Sequence, residues 1–156
     1  MKKLLIILIS LFAFNNIQAQ GIMKDPVSFK LKNGIEVIVA ENGGMAKVMA
    51  SVKIEGAQLN SKVATAINFA DNEKDCGPTV NFAADEANVA ADTEDFENAF
   101  LAMADALKLP ATNQGRFTAA TTYITIAGDI TVARAKALAM KAFDEWQGNS
   151  SSKLAK

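Results

Sequence analysis

The chain has 156 residues, half of which are apolar, and it carries 16 basic and 17 acidic side chains but no histidine. Its length suits one domain with a hydrophobic core, and its net charge of −1 leaves no basic excess for binding nucleic acid. Without an imidazole the chain can form neither a Ser-His-Asp triad nor the usual histidine-based zinc sites.

The N-terminal residues 1–19 predict an export signal. Two lysines precede an apolar run of eleven residues, Leu4 to Phe14, which is too short to span a bilayer. Ala19 is a suitable small residue before a cleavage site. An uncleaved N-terminal anchor is the alternative. No later stretch is long and apolar enough to cross a membrane, so we expect an exported protein, periplasmic or secreted.

An alternating apolar pattern opens the mature chain and predicts a hairpin followed by a third strand. The dipeptide Asn33-Gly34 separates the first two apolar runs and favours a type I′ turn, in which both central residues have positive φ. The third strand is expected between Lys47 and Gly56. The apolar positions of the three strands are Val27, Phe29 and Leu31, then Ile35, Val37 and Val39, and then Val48, Ala50, Val52 and Ile54.

The middle of the chain predicts a short helix, Ser61 to Ala70, followed by two short strands, Thr79 to Ala83 and Asn88 to Ala91. Helix remains an alternative for these strands, because alanine is a poor strand former. Turn residues separate the short helix from the strands. They include Cys76, the only cysteine, which cannot form an internal disulfide.

A long amphipathic helix is predicted from Glu94 to Lys108, with Asp92 or Thr93 as its N-cap. Pro110 prevents its continuation beyond Leu109. Its expected apolar stripe contains Phe96, Ala99, Phe100, Met103 and Leu107.

The C-terminal part predicts a buried strand, Thr121 to Ala127, a Gly128-Asp129 turn and a last helix capped by Thr131. Gly148 is the expected C′ residue of that helix, and residues 149–156 form a polar tail. The apolar stripe of the helix ends in an aromatic pair. Its residues are Val132, Ala135, Ala139, Ala142, Phe143 and Trp146.

The predicted order is three strands, a short helix, two strands, a long helix, one strand and a last helix. This order indicates an α+β fold. We expect an antiparallel-rich sheet of about five to six strands, with two long helices and one short helix packed on one face. Residues 20–148 would then form a single domain. Trp146 is expected to pack its ring against the sheet near the last strand.

Three segments resemble the insulinase-like (M16, pitrilysin) metallopeptidase domain. The hairpin and third strand, residues 27–57, are similar to its opening. Residues 80–107 are similar to the following block, in which an Asn-containing strand precedes a helix. The Gly-Asp turn and aromatic-Gly helix end of residues 122–148 are similar to its close. The resemblance implies a reduced M16 domain.

The zinc-binding parts of the M16 family have no counterpart in this chain. The family motif is His-x-x-Glu-His on a helix plus a distal glutamate, but the segment after Gly56-Ala57 offers no such ligands. We therefore expect no catalytic residue, no metal ligand and no bound zinc. The crowded Asp71, Glu73, Asp75 and Cys76 could form a metal site, but a solvated turn is the simpler interpretation.

The resemblance implies a non-catalytic peptide-binding domain or a partner subunit of an active zinc peptidase of this family. M16 peptidases add substrate peptide as a strand to a sheet edge, a mode that needs no histidine. The matching edge here is Val80, Asn81, Phe82, Ala83 and Ala84. The alternative for this segment is an ordinary short sheet strand. The alternatives for the whole protein are a free-standing structural or adaptor domain of the cell envelope, or a remnant without function.

Overall fold

The computed structural model describes residues 23–59, 77–109 and 119–146. The export signal, the short helix at Ser61–Ala70, the acidic turn with Cys76 and the polar tail lie outside these residues, as does Gly148. The described strands are β1 Val27–Lys30, β2 Glu36–Glu41, β3 Lys47–Ile54, β4 Thr79–Phe82, β5 Glu86–Asp92 and β6 Thr122–Gly128. The helices are α1 Phe96–Lys108 and α2 Val132–Phe143, and a 3-10 turn spans Ala119–Thr121.

The six strands form one sheet in the order β1-β2-β6-β3-β5-β4. Every neighbouring pair is antiparallel except β2 and β6, which run parallel. The predicted α+β fold with an antiparallel-rich sheet is therefore confirmed. The last strand in sequence lies in the middle of the sheet, because β6 is inserted between β2 and β3.

One face of the sheet is covered by both helices. Helix α1 packs on β5 and β3, helix α2 packs on β2, and the helices contact each other. The rings of Phe96 and Phe100 stack at 5.5 Å, and Phe100 meets Phe143 edge-on at 5.9 Å. The strand residues buried beneath the helices include Val37, Val39, Val48, Val52, Ile54, Val89, Ile124 and Ile126. Neither described helix has the length and hydrophobicity needed to cross a bilayer.

The turn between β1 and β2 differs from the predicted type I′ turn. Gly34 has a φ of 94°, but no residue other than glycine in the described part of the chain has positive φ, so Asn33 does not meet the type I′ requirement. Instead Gly34 N–H donates to Leu31 O at 3.0 Å and Leu31 N–H donates to Ile35 O at 2.9 Å. These bonds are typical of a type I turn followed by a glycine bulge. In this turn only the glycine needs a positive φ, so Asn33 keeps an ordinary negative φ.

Helix and strand boundaries also differ from the sequence-based ones. Strand β5 begins at Glu86 rather than Asn88, which excludes the helical alternative for this segment. Helix α1 begins at Phe96, after the N-cap Asp95, whose side chain makes no capping bond. Neither Asp92, the last residue of β5, nor Thr93 is the N-cap, because the helix begins only at Phe96. The Thr93 hydroxyl donates to the carbonyl oxygen of Asp129 at 3.4 Å.

Helix α2 has the predicted start but an earlier end. The Thr131 hydroxyl accepts a hydrogen bond from Arg134 N–H at 3.2 Å, which confirms its role as N-cap. The helix ends at Phe143 with Asp144 as C-cap, so the predicted C′ position at Gly148 is wrong. Trp146 lies beyond the helix, is partly buried against the core, and has its ring 5.4 Å from that of Phe143.

Candidate functional site

The predicted peptide edge coincides in part with an edge of the sheet. Strand β4 is the last strand of the order, and the described residues place no strand beyond it. Val80, Asn81 and Phe82 belong to β4, whereas Ala83 and Ala84 lie in the turn that leads to β5. The five residues are therefore not one continuous strand.

The backbone of β4 presents alternate residues to the two sides of the strand. Ala83 N–H donates to Glu86 O at 2.7 Å, so Ala83 faces β5. In an antiparallel ladder the direction alternates, so Asn81 also faces β5, and the N–H and C=O groups of Val80 and Phe82 point away from the sheet. These outward groups could pair with an added strand.

The turn residue Ala84, which follows β4, already has a hydrogen-bond partner. The carbonyl oxygen of Ala84 accepts a hydrogen bond from Leu59 N–H at 2.7 Å. Leu59 lies after β3, so the segment that leaves β3 meets the chain just past the end of β4. An incoming peptide could not use the Ala84 carbonyl without displacing Leu59. The available part of the edge thus reduces to Val80 and Phe82.

The side chains of β4 also alternate. Phe82 is buried against the core and Val80 is partly buried, both on the face that carries the helices. Thr79 and Asn81 are exposed on the opposite, open face. Side chains of a strand paired with β4 would alternate in the same way, half of them beside Thr79 and Asn81.

A shallow cavity lies on the open face next to β4. It has a volume of about 220 Å³. Strand register aligns four uncharged polar residues across it, because Asn81 pairs with Asn88, Asn88 with Ser51, and Ser51 with Thr125. Met49 lies beside this row and is 45% exposed. The residues that line the cavity are Met49, Ala50, Ser51, Thr79, Asn81, Asn88, Val89, Ala90, Thr125 and Ala127.

Sequence reasoning did not find this polar row. The alternation of β3 indicated that one of its faces meets water, and this is the face that carries Ser51. The position of β6 was missing from that reasoning. Only its insertion beside β3 brings Thr125 next to Ser51 and completes the row.

The described residues that line this cavity are uncharged and include hydroxyl, amide and thioether side chains. The Ser51 hydroxyl donates to Glu86 Oε1 at 2.5 Å. Within the described ranges, no three His, Cys, Asp or Glu side chains are grouped closely enough to hold a metal ion. The sequence also lacks the two imidazoles of the M16 ligand set. The residues present therefore do not fit the zinc of that family.

Groups with shifted pKa values lie away from β4, in ion pairs near β1 and β2. The Lys32 ammonium and backbone N–H, both hydrogen-bonded to the Asp144 carboxylate, lower the pKa of Asp144. The same pair raises the pKa of Lys32. Lys24, 2.6 Å from Glu41, lowers the pKa of that carboxyl. These shifts reflect partner charges that hold the turn and strand ends in place.

No protein-family model and no curated protein matches this sequence. Solved structures do match its fold. One is a protease from Helicobacter pylori, with 10% identity and a TM-score of 0.57 over 86% of this chain and 53% of that chain. Another is an M16-like peptidase from Alicyclobacillus acidocaldarius, with 10% identity and a TM-score of 0.52 over 76% of this chain and 49% of that chain.

These comparisons confirm the M16 relationship at the level of the fold. At 10% identity they carry no information on activity. The chain spans about half the length of the two structures. What those proteins cleave or bind is therefore not transferred to this chain.

Proposed function

We propose that this chain is an exported, non-catalytic domain with an M16 peptidase fold, which binds an extended peptide along β4. The bound segment would belong either to a substrate peptide or to an active M16 zinc peptidase for which this chain is a partner subunit. The observation that supports the proposal most directly is the pair of outward backbone positions, Val80 and Phe82, at the end of the sheet.

The geometry favours a weak and sequence-tolerant interaction. Two outward residues offer two N–H donors and two C=O acceptors, and a typical hydrogen bond contributes about 0.5–1.5 kcal/mol net. Because association itself has a large entropic cost, contacts of the peptide with Thr79 and Asn81 must add to the backbone bonds. We expect a Kd in the range of about 1 μM to 1 mM.

The absence of histidine from all 156 residues supports the non-catalytic part of the proposal. M16 chemistry needs imidazole ligands to hold zinc and a motif glutamate to act on its bound water. A chain of this kind could still contribute a peptide-binding surface to a complex whose partner supplies the metal site.

The backbone-pairing mode can be tested with three forms of one extended peptide. The first form is unmodified, and the other two carry N-methyl groups on alternate amides in the two possible registers, so that each loses the donors of one edge only. Calorimetric titration should detect binding of the unmodified form and a loss of at least about tenfold in affinity for one methylation register. Equal affinity of both registers and the unmodified peptide would contradict strand addition.

A pair of variants at one position separates backbone from side-chain effects. Val80→Pro removes the outward N–H without removing a bond to β5, whereas Val80→Ala truncates the side chain and keeps that N–H. We expect Val80→Pro to abolish peptide binding and Val80→Ala to retain it. Circular dichroism should show that both variants remain folded. Retained binding in folded Val80→Pro would contradict the proposal.

Export and partnership need their own measurements. N-terminal sequencing of the protein recovered outside the cytoplasm should begin at Gln20. Mixing the mature chain with an active M16 peptidase from the same cells should give a complex on size-exclusion chromatography and change its peptidase rate. Retention of the chain in the cytoplasm would contradict export. An unchanged peptidase rate without complex formation would contradict the partnership.

The open face supports the second candidate, a free-standing structural or adaptor domain of the cell envelope. The exposed Met49 and the adjoining cavity of about 220 Å³ offer a surface of side chains that adjoins β4 at Thr79 and Asn81 but does not use the outward backbone groups of Val80. Met49→Lys should then abolish partner capture while Val80→Pro leaves it intact. The opposite pattern would favour peptide addition at β4.

A further inference from the structure

The chain contains two Asn-Gly dipeptides, Asn33-Gly34 and Asn42-Gly43, and the structure describes both. Such a dipeptide can deamidate when the glycine amide nitrogen attacks the asparagine Cγ and loses its proton. The bond from Cγ to Nδ2 breaks and ammonia leaves. Water then opens the succinimide to aspartate or isoaspartate, with no change in oxidation state. Glycine favours the reaction because it has no side chain to hinder the approach.

Both reacting groups are held at the first dipeptide. Asn33 Nδ2 donates to Phe143 O at 2.7 Å and to Trp146 O at 2.8 Å. The nucleophile is also engaged, because Gly34 N–H donates to Leu31 O at 3.0 Å. For the attack to occur, the Asn33 side chain must leave the end of α2 and the turn must open.

The second dipeptide lacks the side-chain restraint. Its backbone is held, because Asn42 N–H donates to Gly128 O at 2.8 Å and Asn42 O accepts from Met45 N–H at 3.3 Å. Asn42 Oδ1 accepts a hydrogen bond from Gly44 N–H at 3.2 Å. Asn42 Nδ2 donates to no residue in the described part of the chain. Residues 43–46 are exposed, so water has access to the loop.

We infer that Asn42 is the deamidation site of the folded protein and that Asn33 is a protected site, which reacts only when its turn separates from α2. Deamidation at Asn33 also has a different consequence. A carboxylate has no proton to donate, so it cannot restore the bonds to Phe143 O and Trp146 O. Modified Asn33 therefore records past opening of the fold and hinders its reversal, whereas modified Asn42 leaves the two bonds to the end of α2 in place.

The two sites can be compared within one sample. The full chain is incubated at mildly alkaline pH, with and without urea, and the dipeptides are followed by peptide mapping with mass spectrometry. In buffer, Asn33 should react at least about tenfold more slowly than Asn42, which corresponds to about 1.4 kcal/mol of opening free energy. In urea the two rates should converge. Equal rates in buffer, or a difference that persists in urea, would overturn the inference.

A variant that loosens the turn tests the protecting contact. Asp144→Ala removes the carboxylate that accepts from Lys32 N–H at 3.0 Å. It should accelerate the reaction at Asn33 and leave Asn42 unchanged. An unchanged Asn33 rate in the folded variant would overturn the inference. If the variant does not fold, the wild-type protein is measured at low urea concentrations instead. The deamidation rate at Asn33 must then rise with urea concentration relative to the rate at Asn42.

Discussion

Asn33 closes the C-terminal end of α2 from 110 residues away, through a hydrogen bond of 2.7 Å from its Nδ2 to Phe143 O. The last carbonyl groups of a helix have no partner within the helix. Here a side chain from the β1–β2 turn supplies one, and a second bond of 2.8 Å to Trp146 O holds the chain beyond the helix. The turn thereby fixes how α2 lies on the sheet.

Asn33→Ala should lower the free energy of unfolding by about 1–3 kcal/mol, because two hydrogen bonds of about 0.5–1.5 kcal/mol each are lost. Phe143 O keeps its other donor, Trp146 N–H, at 2.9 Å. Urea denaturation followed by circular dichroism measures the change. Asn42→Ala is the matched control and should stay within about 0.5 kcal/mol of wild type. Equal effects of the two substitutions would show that the contact with α2 contributes nothing.

Asp144→Asn should destabilise the protein in a pH-dependent manner. The folded-state pKa of Asp144 is lowered, so its charge stabilises the fold above the unfolded-state pKa of about 3.9, and this contribution is lost as pH falls through the folded value. The raised pKa of Lys32 keeps the pair charged at neutral pH. The difference in urea unfolding midpoint between wild type and variant should therefore be constant near neutral pH. It should disappear in acid. A difference that persists in strong acid would contradict this account.

Gly128→Ala should destabilise the sheet by about 3 kcal/mol or more. Gly128 has a φ of 128°, and an added Cβ would lie 2.1 Å from Lys47 O. Gly43→Ala is the control, because its added Cβ would meet only Asp129 Oδ1, at 4.0 Å. Thermal unfolding of the two variants should differ by many degrees. Similar midpoints would show that β3 can shift to accept the methyl group.

Phe143→Ala should cost about 3–5 kcal/mol, as other fully buried aromatic truncations do. Trp146→Ala should cost less, about 1–3 kcal/mol, because Trp146 is only partly buried. The rings lie 5.4 Å apart, so the double variant should cost less than the sum of the single variants. Strict additivity in urea denaturation would show that the rings do not support each other.

Sequence periodicity predicted the described strands and helices and most of the faces that they bury. It did not show that Val27 would be 43% exposed or that Leu138 would be buried. The stripe of α1 from Phe96 to Leu107 is buried as predicted, and the apolar face of β3 lies in the core. Periodicity is informative here because the spacing of apolar side chains differs between helix and strand and is independent of their neighbours. It was less informative at element ends, where Thr93 makes a tertiary contact instead of a cap.

The amino-acid sequence by itself determined which residues alternate, which side of each strand is apolar, and that no histidine is present to hold zinc. Only the tertiary structure decided that β6 lies between β2 and β3 and that Asn33 binds the end of α2. It also decided that the backbone N–H and C=O groups of Val80 and Phe82 face outward at the sheet edge. The physical reason is that alternation gives a strand the same pattern beside any neighbour. The choice of neighbour depends on contacts between residues far apart in sequence, such as the close approach of Lys47 to Gly128.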